Sequence, residues 1–342
     1  MKLFVFSVLA IFFLSTPCDA QQKPHYTQYI LNQYILNPAL SGIENYTDIK
    51  ISHRHQWVGL QDAPVTTYLS VQGPIGKKDA RVSATSLNMY GDNPRGEEYW
   101  DEYSPSAPHH GVGLQMIQDQ SGPFKNFTLM GTYAYHIGLN AKTNLSAGIG
   151  LGFSQFTLNT NKLFFGIDFP VDPAITAGGN IGKARLDANA GLWLYSSNYF
   201  VGIAANQLVP QKLEYADNLV RLNNGKLVPH IFGTAGYRFL LTEDINLIPS
   251  VMAKFVSPVP MQLDFNAKVQ FRDFLWAGAT YRGKYGFAAM AGFTTLGALS
   301  ISYSYDYSTT KLNTVSKGTH EILLGYMLQK KYDGQRCPRN LW

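Results

Sequence analysis

A strict alternation of apolar and polar residues over long segments is the feature that most restricts how this chain can fold. Between residues 262 and 271, every odd-numbered residue is apolar and every even-numbered residue is polar. The segment 299–307 sets leucine, isoleucine and tyrosine against serine and aspartate in the same way. Because successive side chains of a β-strand point to opposite faces, this period of two predicts strands with one apolar and one polar face.

The polar faces of these segments do not suit the interior of a soluble β-sandwich. Asp264, Asn266 and Lys268 occupy successive positions on one such face, and groups of this kind need water or one another when they leave solvent. A closed barrel with lipid outside and a polar interior satisfies both faces and leaves no open strand edge in the membrane. Charged residues make up 15% of the chain and aromatic residues 13%, which suits strands with aromatic girdles.

We therefore predict an all-β fold, a transmembrane antiparallel β-barrel of about 14 strands, located in a bacterial outer membrane. The predicted strands cover residues 48–58, 64–74, 110–119, 126–139, 142–156, 184–196, 198–208, 228–241, 244–256, 260–271, 274–282, 285–294, 297–307 and 318–329. An even number of strands places both chain termini in the periplasm and requires tight periplasmic turns.

The lengths of the connections agree with this topology except at one place. The tight connections on the expected periplasmic side include residues 196–198, 242–243, 272–273 and 295–297. The long connections near 157–183 and 209–227 fall on the external side. Residues 75–109 should be periplasmic but are long and polar, so they are either a large periplasmic insertion or contain a further hairpin near residues 81–90.

The first residues have the pattern of a secretory signal peptide. A positive residue precedes an apolar run at 3–14 that is too short to cross a bilayer as a helix, and Ala20 ends a plausible cleavage site. Cys18 raises the alternative of a lipoprotein signal, against which Pro17 directly before it argues. Cleavage after Ala20 leaves Cys337 as the one remaining cysteine, which excludes an intramolecular disulfide.

The chain thus divides into four predicted parts. They are a signal peptide (1–20), an N-terminal periplasmic or plug segment (21–47), the barrel (48–329) and a periplasmic tail (330–342). Residues 26–36 are predicted to form a short amphipathic helix that ends at Asn37, because a residue before proline avoids the α conformation. The segment is expected to be a plug or periplasmic docking element, or else a structural cap that seals the lower rim. The tail is either a simple extension or a contact for a periplasmic partner.

Two polar residues at the end of the first predicted strand are expected to face the lumen. Arg54 and Gln56 share the polar face with Lys50. A lumenal Arg54 is expected to form a structural ion pair with a carboxylate such as Asp264, or to contact the N-terminal segment. Trp57 is expected on the lipid face, where interfacial aromatic residues collect.

The sequence contains no recognisable catalytic or metal-binding motif. His53 and His55 share one strand face and could hold a metal, but no third ligand has a recognisable spacing, and His109-His110 is equally isolated. No nucleophile elbow, zinc-protease helix or phosphate-binding loop is present. We therefore expect a protein that is not an enzyme and has no cofactor.

An ordered set of short motifs resembles the PorP/SprF family of Bacteroidota. Residues 37–42 are similar to the family's NPA-x-x-G turn, and residues 54–64 to its R-x-Q-W-x-G motif with the Ala-Pro that follows. Residues 119–123 and 133–135 resemble a later turn and strand of the family, whereas 77–109 is longer than the family's usual link. The motif positions, for which we expect structural roles, are Asn37, Pro38, Ala39, Gly42, Arg54, Gln56, Trp57, Gly59, Ala63 and Pro64.

The resemblance implies an outer-membrane barrel of the type IX secretion system, associated in some members with gliding motility. It implies as partners a secreted surface protein or adhesin, periplasmic lipoproteins or peptidoglycan-binding components, and outer-membrane lipid, but no nucleic acid. We expect a barrel that helps to secrete, anchor or display a surface protein. The alternative is a passive channel for small solutes, but inward positions such as Trp193 and Tyr195 favour a filled lumen over a charged constriction.

Overall fold

The computed structural model describes the barrel and the segment that precedes it. The described residues are 26–77, 105–163, 180–209, 212–214, 221–226, 228–257, 259–272, 274–283, 285–295 and 299–328. The predicted signal peptide and the predicted C-terminal tail therefore lie outside the described residues. Within the described part, no helix is long and apolar enough to cross a membrane.

A single antiparallel sheet closes on itself to form the barrel wall. Its strands are β1 (Thr47–His55), β2 (Val65–Ile75), β3 (His109–Ser121), β4 (Phe124–Asn140), β5 (Thr143–Asn159), β6 (Asn180–Tyr195), β7 (Tyr199–Asn206), β10 (His230–Tyr237), β11 (Phe239–Thr242), β12 (Ile245–Val256), β13 (Val259–Phe271), β14 (Leu275–Arg282), β15 (Gly286–Thr294), β16 (Leu299–Ser308) and β17 (Thr319–Leu328). Two further short strands, β8 (Lys212–Glu214) and β9 (Arg221–Lys226), form a separate hairpin within the connection from β7 to β10.

The wall contains 14 strands, as the alternation predicts. Segments β10 and β11 both pair with β12 and are two parts of one wall strand, interrupted at Arg238. The ring closes where β1 pairs with β17, with Thr47 opposite Leu328 and His55 opposite His320. Each predicted strand overlaps one wall strand, so the all-β barrel prediction is confirmed.

The outer face of the wall is apolar, and the inner face carries mainly polar residues and glycines. Apolar residues on the outer face are strongly exposed, for example Leu151 at 64% and Leu186 at 76%. Their neighbours in the chain, such as Gly150 and Asp187, point inward and are buried or nearly so. Outward apolar surface of this kind suits contact with lipid acyl chains, which remove it from water.

The connection between β2 and β3 is the place where the sequence left two topologies open. These two strands pair directly along their lengths, with Val65 opposite Gln120 and Ile75 opposite His110. No hairpin is therefore inserted into the wall between them. The predicted hairpin near residues 81–90 itself lies outside the described residues.

The segment before β1 lies inside the barrel and folds as three short 3-10 turns. They are η1 (Thr27–Leu31), η2 (Gln33–Ile35) and η3 (Pro38–Leu40). A single amphipathic helix over 26–36 was expected, and this expectation is wrong: Asn32 takes φ −146° and ψ 62°, which interrupts the helical path. The reason is that side chains on all sides of this segment contact the barrel wall, so no solvent-facing stripe exists.

A paired arginine and aspartate join two neighbouring turns at the end of the barrel where β1 begins. Arg272 donates two hydrogen bonds to Asp244, over 2.6 and 3.0 Å. The hydrogen bonds from Arg272 hold the pKa of the Asp244 carboxyl below its usual value. Both side chains are well exposed, so the pair helps to define the turns and contributes little to stability.

Candidate functional site in the barrel lumen

The N-terminal segment, residues 26–46, fills the lumen and runs along its wall in one direction. The rings of Tyr26 and Tyr68 meet edge to face, with centroids 5.4 Å apart. The side chain of Asn32 donates a 2.9 Å hydrogen bond to Ser70. The Gly42 N–H donates a 2.6 Å hydrogen bond to Gln72 Oε1. Successive parts of the segment thus contact successive inward residues of β2, from Tyr68 to Gln72.

Glycines on the inner face of the wall allow the segment to approach the strands closely. A Cβ atom added at Gly111 would lie 1.7 Å from the carbonyl oxygen of Ser41, and one at Gly148 would lie 2.5 Å from Ala39 Cα. Any larger side chain at these positions would displace the segment. The segment therefore fits in the lumen partly because these wall positions carry no side chain.

The turn motif at residues 37–42 is held by polar contacts to several strands. Asn37 Oδ1 accepts a 2.9 Å hydrogen bond from the Ala39 N–H, and Asn37 Nδ2 donates to the carbonyl of Leu192 over 3.1 Å. Pro38 begins η3, where a missing N–H costs nothing. Gly42 takes φ +73°, a backbone conformation that favours glycine.

Two stacked histidines contact the backbone at the end of this motif. The rings of His109 and His136 are parallel within 5°, with centroids 4.5 Å apart. Nε2 of His136 lies 2.8 Å from the carbonyl oxygen of Ser41, and Nε2 of His109 lies 3.2 Å from that of Gly42. The partner of His109 lies on β4 and is far from it in sequence, so no local pattern indicated the pair.

A buried cluster of charged residues binds the other end of the segment. Arg54 contacts Asp306 over 2.7 Å and Glu321 over 3.1 Å. Arg282 contacts the same oxygen of Asp306 over 2.9 Å. The hydroxyl of Thr27 donates to Asp306 over 2.6 Å, and its oxygen accepts hydrogen bonds from Arg54 and Arg282. Four strands and the N-terminal segment are thus joined in one network.

The expected partners of Arg54 are only partly found. Contact with the N-terminal segment is present through Thr27. The expected pair with Asp264 is absent among the described contacts, since Asp264 is paired with Arg282 over 3.3 Å instead. In the wall, β17 and β16 are the first and second neighbours of β1, which carries Arg54, on one side, whereas β13 is the fifth. Asp306 on β16 is therefore nearer to Arg54 than Asp264 on β13.

The second motif, which follows β1, forms part of the rim of the barrel. The Gln56 N–H donates a 2.9 Å hydrogen bond to the carbonyl of Pro64, which closes the connection from β1 to β2. Gly59 takes φ +101° in this connection, and Ala63 immediately precedes Pro64. Trp57 takes φ +48° and donates its N–H to Thr319 Oγ1 over 3.1 Å. It does not extend the lipid face as expected, because the chain has already left the strand.

A cavity of about 590 Å³ lies at this rim, directly above the charged cluster. Its lining combines buried charges with aromatic and aliphatic groups from the ends of several strands. Its lining includes Arg54, Trp57, Arg282, Asp306, Lys311 and Leu312. Asp306 Oδ1 and Arg54 Nε have no hydrogen-bond partner among the described residues. Both atoms are themselves buried, so the accessible lining of the cavity is mainly aromatic and aliphatic.

The other histidines considered in the sequence face outward. His53 and His55 are exposed on the outer surface of β1, and His53 Nδ1 lies 2.9 Å from Thr67 Oγ1. His110 lies 2.7 Å from the hydroxyl of Tyr133 on the same outer surface. In the part of the chain that the structure describes, no three histidine, cysteine or acidic residues come together as metal ligands.

Several residues of the lumenal network were not singled out from the sequence. Asp306 and Glu321 fall on polar positions of alternating segments, so a lumenal location for them was readable. Thr27 and His136 gave no comparable indication. Their importance depends on contacts across the lumen between residues far apart in the chain, which a local pattern does not contain.

Comparisons with known proteins place this geometry in a family. The model of the family described as type IX secretion system membrane protein PorP/SprF matches residues 18–326. No curated protein sequence matches the chain. Among solved structures, the chain is similar to the CymD monoaromatic hydrocarbon channel, with TM-score 0.48, 11% identity, and coverage of 90% of this chain and 94% of that one.

Other solved barrels are similar at comparable levels. The Ralstonia pickettii toluene transporter TbuX has TM-score 0.48 and 8% identity, with 89% of this chain and 93% of that one covered. Salmonella typhi OmpF in complex with daunomycin has TM-score 0.35 and 9% identity, with 83% and 96% covered. The family match, which spans most of the chain, decides the assignment: this chain is an outer-membrane β-barrel that belongs to the PorP/SprF family of type IX secretion system membrane proteins.

Proposed function

We propose that this barrel is a plugged scaffold that helps to secrete, anchor or display a surface protein, and that it is neither a solute channel nor an enzyme. The observation that carries the proposal is the occupied lumen. Tyr29, Tyr34 and Leu40 of the N-terminal segment are only 2–3% exposed. A lumen filled by well-packed side chains leaves no continuous path for water and solutes.

The rim that contains the cavity offers a surface on which such a protein could be held. Trp57 and Leu312 give the cavity apolar surface, and Lys311 adds a charged side chain at its edge. Apolar side chains of a docked segment would be removed from water there. We therefore propose that a segment of the surface protein docks at this cavity.

Affinity purification from native outer membranes tests the proposed role directly. We expect the tagged barrel to recover a large surface protein together with subunits of the secretion system, identified by mass spectrometry. A tagged barrel of another family from the same membranes is the control for abundant contaminants. Recovery of neither a surface protein nor a secretion subunit would contradict the proposal.

A cavity-filling substitution tests the docking place. Leu312→Trp should fill the cavity and reduce recovery of the surface protein by about tenfold, the effect of losing about 1.4 kcal/mol of binding free energy. The matched control is Val315→Trp in the same connection, because Val315 is 58% exposed and does not line the cavity. Recovery of secretion-system subunits should be unchanged in both variants. Equal recovery of the surface protein with Leu312→Trp and with Val315→Trp would rule out docking at this cavity.

A further inference from the structure

The direction in which the N-terminal segment crosses the lumen determines where the chain before it must leave the barrel. Thr27 lies at the level of Arg54, one residue before the end of β1. Gly42 lies against Gly73 and Gly111, at the level of Thr47, where β1 begins. Arg54 is seven positions after Thr47, a distance of about 23 Å along the strand.

This order is the same against other strands of the wall. On β4, Tyr34 contacts Thr132 over 2.6 Å, and His136, which is further toward the end of that strand, contacts Ser41. On β17, Thr27 contacts Glu321 close to the beginning of the strand. The segment thus passes from one mouth of the barrel to the other before β1 starts, and it does not enter from the mouth at which β1 starts.

At the end where β1 begins, described side chains pack closely beside the segment. Tyr34, Ala39 and Leu40 pack against Trp193 and Tyr195 in one buried cluster at the β1-start end. A cavity lies at the opposite end, above Thr27, Arg54 and Asp306. Tyr26, the first described residue, thus lies at the end of the segment that faces that mouth.

The connections identify which mouth this is. At the end where β1 begins, five of the six connections between wall strands are tight turns, as periplasmic turns of bacterial barrels are, and the connection from β2 to β3 is the long exception. At the end where β1 finishes, β5 is joined to β6, and β7 to β10, by long connections. The mouth with the cavity is therefore the extracellular one.

We infer that the N-terminus of the mature chain emerges at the extracellular mouth, whereas β17 ends at the periplasmic one. Strand parity alone predicts both termini in the periplasm, because it assumes that the chain enters β1 directly from there. Here the chain first descends through the lumen. The mature N-terminus would then lie next to the cavity, within reach of any protein docked at the rim.

The short length of chain before Tyr26 makes the location of the N-terminus sharply testable. If the signal peptide is cleaved after Ala20, residues 21–25 extend at most about 17 Å from Tyr26. They are too short to cross back through the membrane. An N-terminus on the periplasmic side would thus require the whole N-terminal segment to be undocked.

The test is the accessibility of the N-terminus on intact cells. An epitope tag with a flexible spacer is inserted between Gln21 and Gln22 of the full chain and detected with an antibody before and after permeabilisation of the outer membrane. We expect full detection on intact cells. Detection only after permeabilisation would overturn the inference.

Cysteine labelling with a membrane-impermeant maleimide sets the sidedness independently. In a Cys337→Ser background, Asn313→Cys in the connection from β16 to β17 should be labelled on intact cells, and Glu243→Cys in the turn before β12 only after permeabilisation. Gln22→Cys should follow Asn313→Cys. If it follows Glu243→Cys, the inference is wrong. Because these readouts need no surface protein, they are independent of the proposed function.

Discussion

Replacing Gly148 with valine is expected to displace the N-terminal segment and to open the barrel to ions. A Cβ at this position would lie 2.5 Å from both N and Cα of Ala39, and these are backbone atoms that cannot rotate away. Overpacking of a tight interior costs about 1–3 kcal/mol, which changes the ratio of undocked to docked segment by about 5- to 150-fold. The wild-type protein should show almost no steady current in planar bilayers, and the Gly148→Val protein should show frequent long openings.

The matched control for this variant is Gly233→Val. Gly233 also lies in a wall strand, but a Cβ added there meets no atom within 4 Å. It should behave like the wild type in conductance and in the heat-dependent gel mobility that reports a folded barrel. If the folded Gly148→Val protein shows as little current as the Gly233→Val protein, the N-terminal segment is not what closes the lumen. Large stable currents from the wild-type protein would contradict the plugged scaffold itself.

Arg54→Gln is expected to destabilise the barrel by about 3–5 kcal/mol, because it leaves buried carboxylates without their partner. The side chain of Arg54 is 3% exposed, and those of Asp306 and Glu321 are 11% and 0% exposed. The substitution also removes a hydrogen bond to Thr27. It should therefore loosen the upper end of the N-terminal segment as well as the wall.

Urea unfolding of protein refolded into lipid vesicles, followed by tryptophan fluorescence, measures this effect. Lys162→Gln is the control, since its ion pair with Asp62 has side chains 37% and 42% exposed and should contribute at most about 1 kcal/mol. Arg54→Lys should rescue only part of the loss, because one ammonium group cannot reproduce the planar fork of a guanidinium between two carboxylates. A loss for Arg54→Gln no larger than that for Lys162→Gln would show that the cluster is not a stabilising network.

The two motifs of the family lie at opposite ends of the lumen. Residues 37–42 are held near the start of β1 by His109 and His136, and Arg54 with the residues after it lies at the cavity. The motif residues Asn37 and Gly42 thus lie in the part of the N-terminal segment that contacts the wall. Gln56, Gly59 and Pro64 lie in the connection that forms the rim.

The fold was predictable because the pattern that specifies it is local. One residue in two faces lipid along each strand, as Leu263 and Phe265 do while Asp264 faces inward, and this is visible without knowledge of any partner strand. The inward location of Arg54 followed from the same rule. The strand number followed too, although the division of one wall strand at Arg238 did not.

The conformation of the N-terminal segment was not predictable in the same way. Its apolar and aromatic residues suggested a helix, yet it forms three short turns. A helix of this length has marginal stability by itself, so its surroundings decide its backbone. Here the surroundings are a lumen that contacts it on every side.

What the sequence by itself determined is the barrel, its membrane-facing surface and the residues that point into its lumen, since a period of two is a property of neighbouring residues. Only the tertiary structure decided that Arg54 pairs with Asp306 and Glu321, which are 252 and 267 residues away. It alone also decided the direction in which the N-terminal segment crosses the lumen. The physical reason is that closing the ring sets which strands face one another, and no local pattern of polarity records that geometry.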